Sequence, residues 1–520
     1  MTRLLPALRV MKCSAIALLV GTAALPGAAL AQGGDHVIDF ALGAPVLTLD
    51  PGVAAGTQAQ TARVQIMEGL VQLNAETSEI EPLLAESWEV ADDGVTWTFH
   101  LREGVRFHDG SPLTADDVVA SIGRIIDPAS GMGRANDLRQ ITEIAALDDS
   151  TVKIVTAAPS GTLLRVLALD SASILSTAAI EEYGDQIGWH PVGTGPFKYE
   201  SHVAEQSITF VRNDDYWGKV PEADGVKFIT VPEASTRLTM LETGEADIIV
   251  DVPGADVERL RETDGISLIE KPNTRLGHVG MNVSRAPLND VKVRQAINFA
   301  INREAIVKGV LRGVGVPADS IIAPTVAGYV PQDMYGYDPQ KARDLLAEAG
   351  YPNGFDITMW TPQGRYYMDR ETMIAVQALL GQVGIRANVE VVDWSTYLSA
   401  LREPVDGNKS QLYWLGWESG TADIQVILDT VFDGSRMPPN GWNTMFYKND
   451  KVDELRAAMS REVDPDKRQD MAAEVQKIIM TDAPWAPVYS YVQVSGYNSD
   501  IDGIEYLPTD VYRLKNVTFK

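Results

Sequence analysis

"VTWTFHLREGVRFHDGSPLTADDVVAS", residues 95–121, carries a full strand–turn–helix signature. Val95, Trp97, Phe99 and Leu101 alternate with Thr96, Thr98 and His100, the period of two expected of a strand with one buried face. Glu103-Gly104 marks a turn, Val105 and Phe107 predict a second strand, and Asp109-Gly110 marks another turn. Thr114 fits a helix N-cap, with Asp117 three residues on as a short form of the capping box. Asp116 and Asp117 fall in the first helical turn, where the macrodipole favours acids. Val118, Val119, Ile122, Ile125 and Ile126 supply an apolar helical stripe. Taken alone, His108 beside Asp109 suggests a metal or acid–base pair. Each charge in the stretch already has a local structural task, so the reading is framework.

Outward from this stretch, residues 285–400 alternate helix and strand. Asp338-Pro339 opens "QKARDLLAEAG" with proline at the first helical position, and Gly350 stops it. Phe355 to Trp360 reads as a strand, "DRETMIAVQALLGQVG" as a helix ending at Gly384, and "IRANVEVV" as the next strand. Asp393-Trp394-Ser395 begins another helix. A similar unit occurs at 235–250, where "STRLTMLETG" precedes "ADIIV", and 450–483 reads as helical. These are α/β units, expected on a mainly parallel sheet. Two α/β blocks separated by a β-rich 80–200 region predict two lobes with an inserted subdomain.

The bulk numbers agree with a large globular chain. It has 520 residues, 45% hydrophobic and 22% charged, with 44 Lys plus Arg against 71 Asp plus Glu. A formal charge of −27 disfavours nucleic acid and anionic membranes as partners. Arg3, Arg9 and Lys12 precede the apolar "AIALLVGTAALPGAAL", which ends in Ala29-Leu30-Ala31, so residues 1–31 read as a secretory signal peptide. The one cysteine, Cys13, lies within it. The mature chain is then cysteine-free, without disulfides, thiol chemistry or thiolate metal ligands.

Five blocks carry a resemblance. They are "EPLLAESW" (81–88), the opening stretch, "PVGTGPF" (191–197), "MNVSRAPLNDVKVRQAINFAINR" (281–303) and "KARDLLAEAGYPNGF" (341–355). In this order they resemble the extracytoplasmic solute-binding proteins of peptide-type ABC transporters, family 5, which includes oligopeptide, dipeptide, nickel and glutathione binders. The resemblance implies an α/β, two-lobed Venus-flytrap fold of type II with an additional β-rich subdomain. Lobe one would comprise 32–279 plus 493–520, with the subdomain at about 78–190, and lobe two 280–492. The crossing strands fall near "GHVGMNV" (277–283) and "VYSYVQVSGY" (488–497), and the opening stretch falls away from the cleft. The implied function is a periplasmic receptor that captures a short peptide or peptide-like solute and delivers it to inner-membrane ABC permease subunits. It would act as a monomer, without cofactor or catalysis.

A closed cleft must pair each buried ligand charge. In the oligopeptide and dipeptide binders an aspartate three residues after a Gly-Trp pair holds the ligand amine. Here that position is Gly420, within "WLGWESGTADIQVIL" (414–428). Glu418 and Asp423 flank it, and either is a candidate replacement. Trp417, Ser419, Thr421 and Asp423 follow a pattern resembling the glutathione-binding branch, as does "GWNTMFYKNDKVDEL" with Trp442 and Asn443. For the ligand carboxylate, the resemblance points to Arg365 in "TPQGRYYMDRE" (361–371), with Tyr366 and Trp394 as aromatic walls.

Other classes find less support. No G-x-S-x-G, H-E-x-x-H or Walker motif is present. The six histidines (His36, His100, His108, His190, His202 and His278) include no i, i+4 pair, and none lies beyond 278. A chelated metal such as nickel, or an opine or sugar conjugate, remains the alternative ligand.

Overall fold

The computed structural model describes residues 36–520. The expected signal peptide lies outside the described residues. Among them, no helix is long and apolar enough to cross a membrane.

The opening stretch folds as its pattern dictates, with one exception. Thr96–Leu101 forms a strand with Trp97, Phe99 and Leu101 buried. It is central in a four-stranded antiparallel sheet with Ala85–Val90, Thr151–Thr156 and Ile141–Asp148. Helix Ala115–Ile126 packs on this sheet, and Asp117 Oδ2 accepts from the Thr114 amide and hydroxyl at 2.9 Å each. The expected strand at Val105 and Phe107 shrinks to one bridge, between Arg106 and Pro112. The chain reverses tightly at Asp109-Gly110, with the Phe107 amide donating to the Ser111 carbonyl at 2.8 Å. Pro112 lacks the amide a longer ladder needs. Val105 and Phe107 bury their side chains in the subdomain core all the same.

The larger sheet has eleven strands. On one side Ile385–Val391, Phe355–Thr361 and Leu412–Trp417 pair in parallel. On the other, Val37–Leu42 pairs in parallel with Gly225–Thr230 and with the short Ile248–Ile249. Two long strands, Ile266–Met281 and Trp485–Asn498, run antiparallel through the middle and join the halves. The sheet is therefore mixed, not mainly parallel. Its two central strands carry the chain out to one half and back, which forces opposite directions.

Apolar cores segregate about these strands. One gathers residues from Ile38 to Val250 with others from Ile501 to Val517, and a second fills the subdomain between Leu70 and Ile174. Two more draw on residues between Leu276 and Tyr491. The molecule thus has two lobes, which also touch away from the central strands. One such contact is a small apolar cluster of Leu73, Leu507, Val511 and Ala422.

The central ladder contains an irregularity that matters below. Pro272 pairs with Val492, but the next pair is Leu276 with Ser490. Asn273, Thr274 and Arg275 therefore oppose Tyr491 alone, a bulge that re-aims side chains. The Thr274 amide donates to the Pro508 carbonyl at 2.9 Å on one side. The Thr325 hydroxyl donates to the Asn273 carbonyl at 2.8 Å on the other.

Candidate functional site

Tyr491, opposite the bulge, lines a cleft between the lobes. Tyr491 and Gln493 of the long strand form its floor. A cavity of about 520 Å³ is lined by these two with Asp251 and Gly254 from one lobe and Arg312 and Tyr367 from the other. A smaller recess continues past Asp251 and Gln493 to Asp510, Thr57 and Gln58. Gln493 Nε2 donates to Asp251 Oδ1 at 3.0 Å. The lobes approach closely at Gly254, where a β-carbon would lie 1.9 Å from the Tyr367 hydroxyl.

Arg275 leaves the bulge over Tyr491, whose ring lines this space. Its guanidinium lies 5.8 Å from the Tyr491 ring centroid and forms an ion pair with Glu418. Asp510 lies behind it, accepting from the Tyr506 hydroxyl at 2.5 Å and from Asn273 Nδ2 at 3.3 Å. Burial works against the Arg275 charge, but Glu418 and Asp510 outweigh it and hold the group above its ordinary value. Burial pushes the Asp510 carboxyl up, opposed by the Tyr506 hydrogen bond and by Arg275.

The loop after strand Phe355–Thr361 is built around Asp369. Its buried carboxylate accepts from the amides of Gly364, Arg365, Tyr366 and Arg370 at 2.8–3.1 Å. This fixes Arg365, whose guanidinium lies 5.3 Å from the Tyr366 ring and 5.1 Å from the Trp394 ring. Arg365 is exposed and makes no ion pair among the described residues. Tyr366 connects the two arginines: a β-carbon on Gly416 would lie 2.9 Å from its ring and 3.3 Å from Arg275 Cδ. Burial pushes the Tyr366 hydroxyl above its ordinary value, keeping it a donor, to the Gly416 carbonyl at 3.4 Å.

The structure sorts the residues singled out in the sequence into two groups. Arg365, Tyr366 and Trp394 form one aromatic–cationic wall. Trp417 packs edge-on to Trp442 at 5.7 Å, Arg402 covers Trp442, and the Glu418 side chain is 55% exposed. Thr421 is half-buried in the same loop.

The other group corrects the expectation. Asp423 was a candidate for the ligand amine, yet it is 1% exposed and its oxygens serve the protein. They cap helix Ile424–Ile427 and receive both Arg468 Nη atoms at 2.9 and 2.6 Å, with Arg165 Nε at 3.9 Å. The Ser419 hydroxyl is used by the backbone of Asp423. Asn443, fully buried, bonds the backbone of Asp433 and Tyr447. Gly420 stays exposed, and a β-carbon there would meet nothing within 4 Å.

Sequence reasoning missed Arg275, Tyr491, Asp251 and Asp510. The expected crossing strand at 277–283 began two residues after Arg275, and nothing local announces the bulge. His108, the loudest residue of the opening stretch, is framework. Its backbone amide donates to the Gly193 carbonyl at 2.9 Å and its Nε2 sits 3.1 Å from the Gly195 carbonyl. Among the described residues, no three His, Cys, Asp or Glu side chains converge as metal ligands.

Two lobes joined by paired strands, with an ionisable cleft at the crossing, define a solute-binding protein of the hinged type. The chain belongs to the bacterial extracellular solute-binding proteins, family 5, whose middle region matches residues 79–439. It is 34% identical over 497 residues to the glutathione-binding protein GsiB of Escherichia coli O157:H7, covering 95% of this chain and 96% of that protein. HbpA2 from Haemophilus parasuis superposes with a TM-score of 0.85 at 28% identity, over 93% of this chain and 99% of the other. The periplasmic protein DppA from Helicobacter pylori, solved with the peptide STSA, gives 0.69 at 31% identity, over 93% and 98%.

Proposed function

We propose that this chain is the periplasmic receptor of an ABC importer and that its ligand is a short peptide-like solute of the glutathione type. The observation that carries this is the cleft itself. Beside the cavity lined by Tyr491 and Tyr367, Tyr366 gathers two guanidiniums, an exposed acid and the Trp394 ring, with no ion pair at Arg365 among the described residues, and the relatives named above bind glutathione and short peptides. A peptide-like zwitterion needs a base for its carboxylate and an acid for its amine. Arg365 serves the first need and Glu418 the second, with Tyr366, Trp394, Trp417 and Trp442 as walls.

The lobes are residues 32–279 with 493–520, and 280–492, closing about the bulge. The N-terminal 31 residues direct export and are removed. The receptor acts as a monomer, performs no chemical step, and passes its cargo to inner-membrane permease subunits.

Calorimetry on the mature chain with glutathione, the dipeptide Met-Leu, the peptide STSA, an opine and Ni²⁺ tests the reading. Heat of binding is expected with glutathione. At a hundredfold excess over Kd the ligand stabilises the fold by ~2.7 kcal/mol, visible as a raised Tm. Binding of Ni²⁺ or the opine with none of the peptides rejects it.

A further inference from the structure

We infer that Arg275 determines specificity in this cleft, and that its ion pair with Glu418 is exchanged for the α-amino-acid end of the ligand. This deepens the proposed function and rests on it.

The geometry carries the inference. The bulge at 273–275 is anchored to both lobes and turns Arg275 out of the ladder, over Tyr491. Glu418 stands beside it on the neighbouring strand, one position beyond the Leu276–Trp417 pair, and keeps more than half its surface exposed. A strand bulge that holds one cation beside a cleft, paired with one accessible acid, is a poor stabilising device. Pairs exposed to solvent add little, and the bulge sacrifices ladder hydrogen bonds. The same pair is well suited to reception. An ammonium and a carboxylate on one carbon offer the complementary charges, so the ligand ammonium takes Glu418 while the ligand carboxylate takes the guanidinium fork of Arg275. No charge is left unpaired before or after the exchange.

The charges gathered around Tyr366 define the rest of the ligand, since Asp251 and Arg312, which line the cavity, add one charge of each sign. Around Tyr366 stand two guanidiniums, Arg275 and Arg365, and one accessible acid, Glu418. Asp510 is already occupied by Tyr506 and Asn273. With Glu418 and Arg275 engaged by the zwitterion, Arg365 is left to bind a second carboxylate. The favoured class is a peptide-like solute with one free α-amino-acid end and one further carboxylate, of net charge −1. A γ-glutamyl peptide has this pattern. A simple dipeptide carries its ammonium and its one carboxylate on different residues, so it lacks both the α-amino-acid end and the second carboxylate.

The test uses calorimetry with glutathione, its N-acetyl derivative and its glycine monoethyl ester, on the wild-type chain and on Arg275→Ala, Glu418→Gln and Arg365→Ala. Arg275→Ala is expected to weaken glutathione and the ester alike, roughly 100-fold. Arg365→Ala is expected to weaken glutathione but not the ester, which lacks the second carboxylate. Glu418→Gln is expected to weaken glutathione but not the N-acetyl form. Urea midpoints within error of wild type exclude general unfolding, and Arg275→Lys should restore part of the affinity.

Arg275→Ala binding glutathione as wild type does overturns this assignment and leaves the proposed function standing. The same holds if Arg275→Ala weakens glutathione but not the ester while Arg365→Ala weakens both alike. Wild type that binds Met-Leu but not glutathione overturns both the exchange at Arg275 and the second-carboxylate assignment, and leaves the receptor reading standing. Wild type that binds none of glutathione, Met-Leu or STSA overturns the proposed function, and this inference with it.

Discussion

Glu418 and Asp423 lie five residues apart and carry the same charge, yet their surroundings give them different work. Asp423 is enclosed by Arg468 and Arg165 and caps a helix, whereas Glu418 shares one arginine and faces solvent. Removing the charge from Asp423 strands two largely buried guanidiniums. Asp423→Asn should therefore destabilise the fold by about 3 kcal/mol or more, read from urea unfolding. Glu418→Gln should change stability by less than about 1 kcal/mol, because an exposed pair contributes little. Equal stability losses in the two variants would reject this division. Sequence alone left both acids open as amine ligands, since each flanks Gly420 on one loop. What separates them is Arg468, 45 residues further on, and Arg165 in the other lobe, neither of which has a local signature.

Local elements were the most legible part of the chain, because caps and periodicity act over a few residues. Thr114 and Asp117 form their predicted reciprocal cap, and Asp338-Pro339 starts the helix Pro339–Glu348. The loop 361–371 was legible as a connector but not as a rigid one. Its rigidity comes from four amides converging on Asp369, which also begins the helix Asp369–Gln382. Asp369→Ala should cost about 1–2 kcal/mol, since water can replace part of what the loop amides lose. It should also weaken ligand binding less than Arg365→Ala does, because the guanidinium is misplaced and not deleted. Hydrogen exchange should accelerate at 364–366 in the variant, and unaltered exchange there would remove Asp369 as the organiser. The bulge at 273–275 was not legible at all. It arises from the register of two strands more than 200 residues apart, which no window of sequence contains.

At the scale of the molecule, two lobes and an inserted subdomain could be anticipated from the alternation of α/β blocks. The route of the chain between lobes, and so the mixed sheet, could not. Two histidines set within these units bear on the stability of the whole. Burial lowers His278, packed against Trp485 on the central strands, to about 3, and His108 in the subdomain to about 4, from an ordinary value of 6.5. Both are neutral when folded and take a proton on unfolding. Between pH 6.5 and about 4 the unfolded chain then binds more protons, so stability is fully present above 6.5 and falls as pH drops through this window. Each histidine contributes a slope of at most about 1.4 kcal/mol per pH unit. The formal charge of −27 acts in the opposite sense, since acid relieves repulsion. Ordinary carboxylates stay mostly ionised until about pH 4.5, so above that the histidines dominate. Urea unfolding from pH 7.5 to 4.5 should show falling stability, with a shallower slope in His108→Gln, whose amide can still donate to the Gly195 carbonyl. A stability that is flat or rises toward pH 5 would mean that charge repulsion, not histidine burial, sets the acid limb.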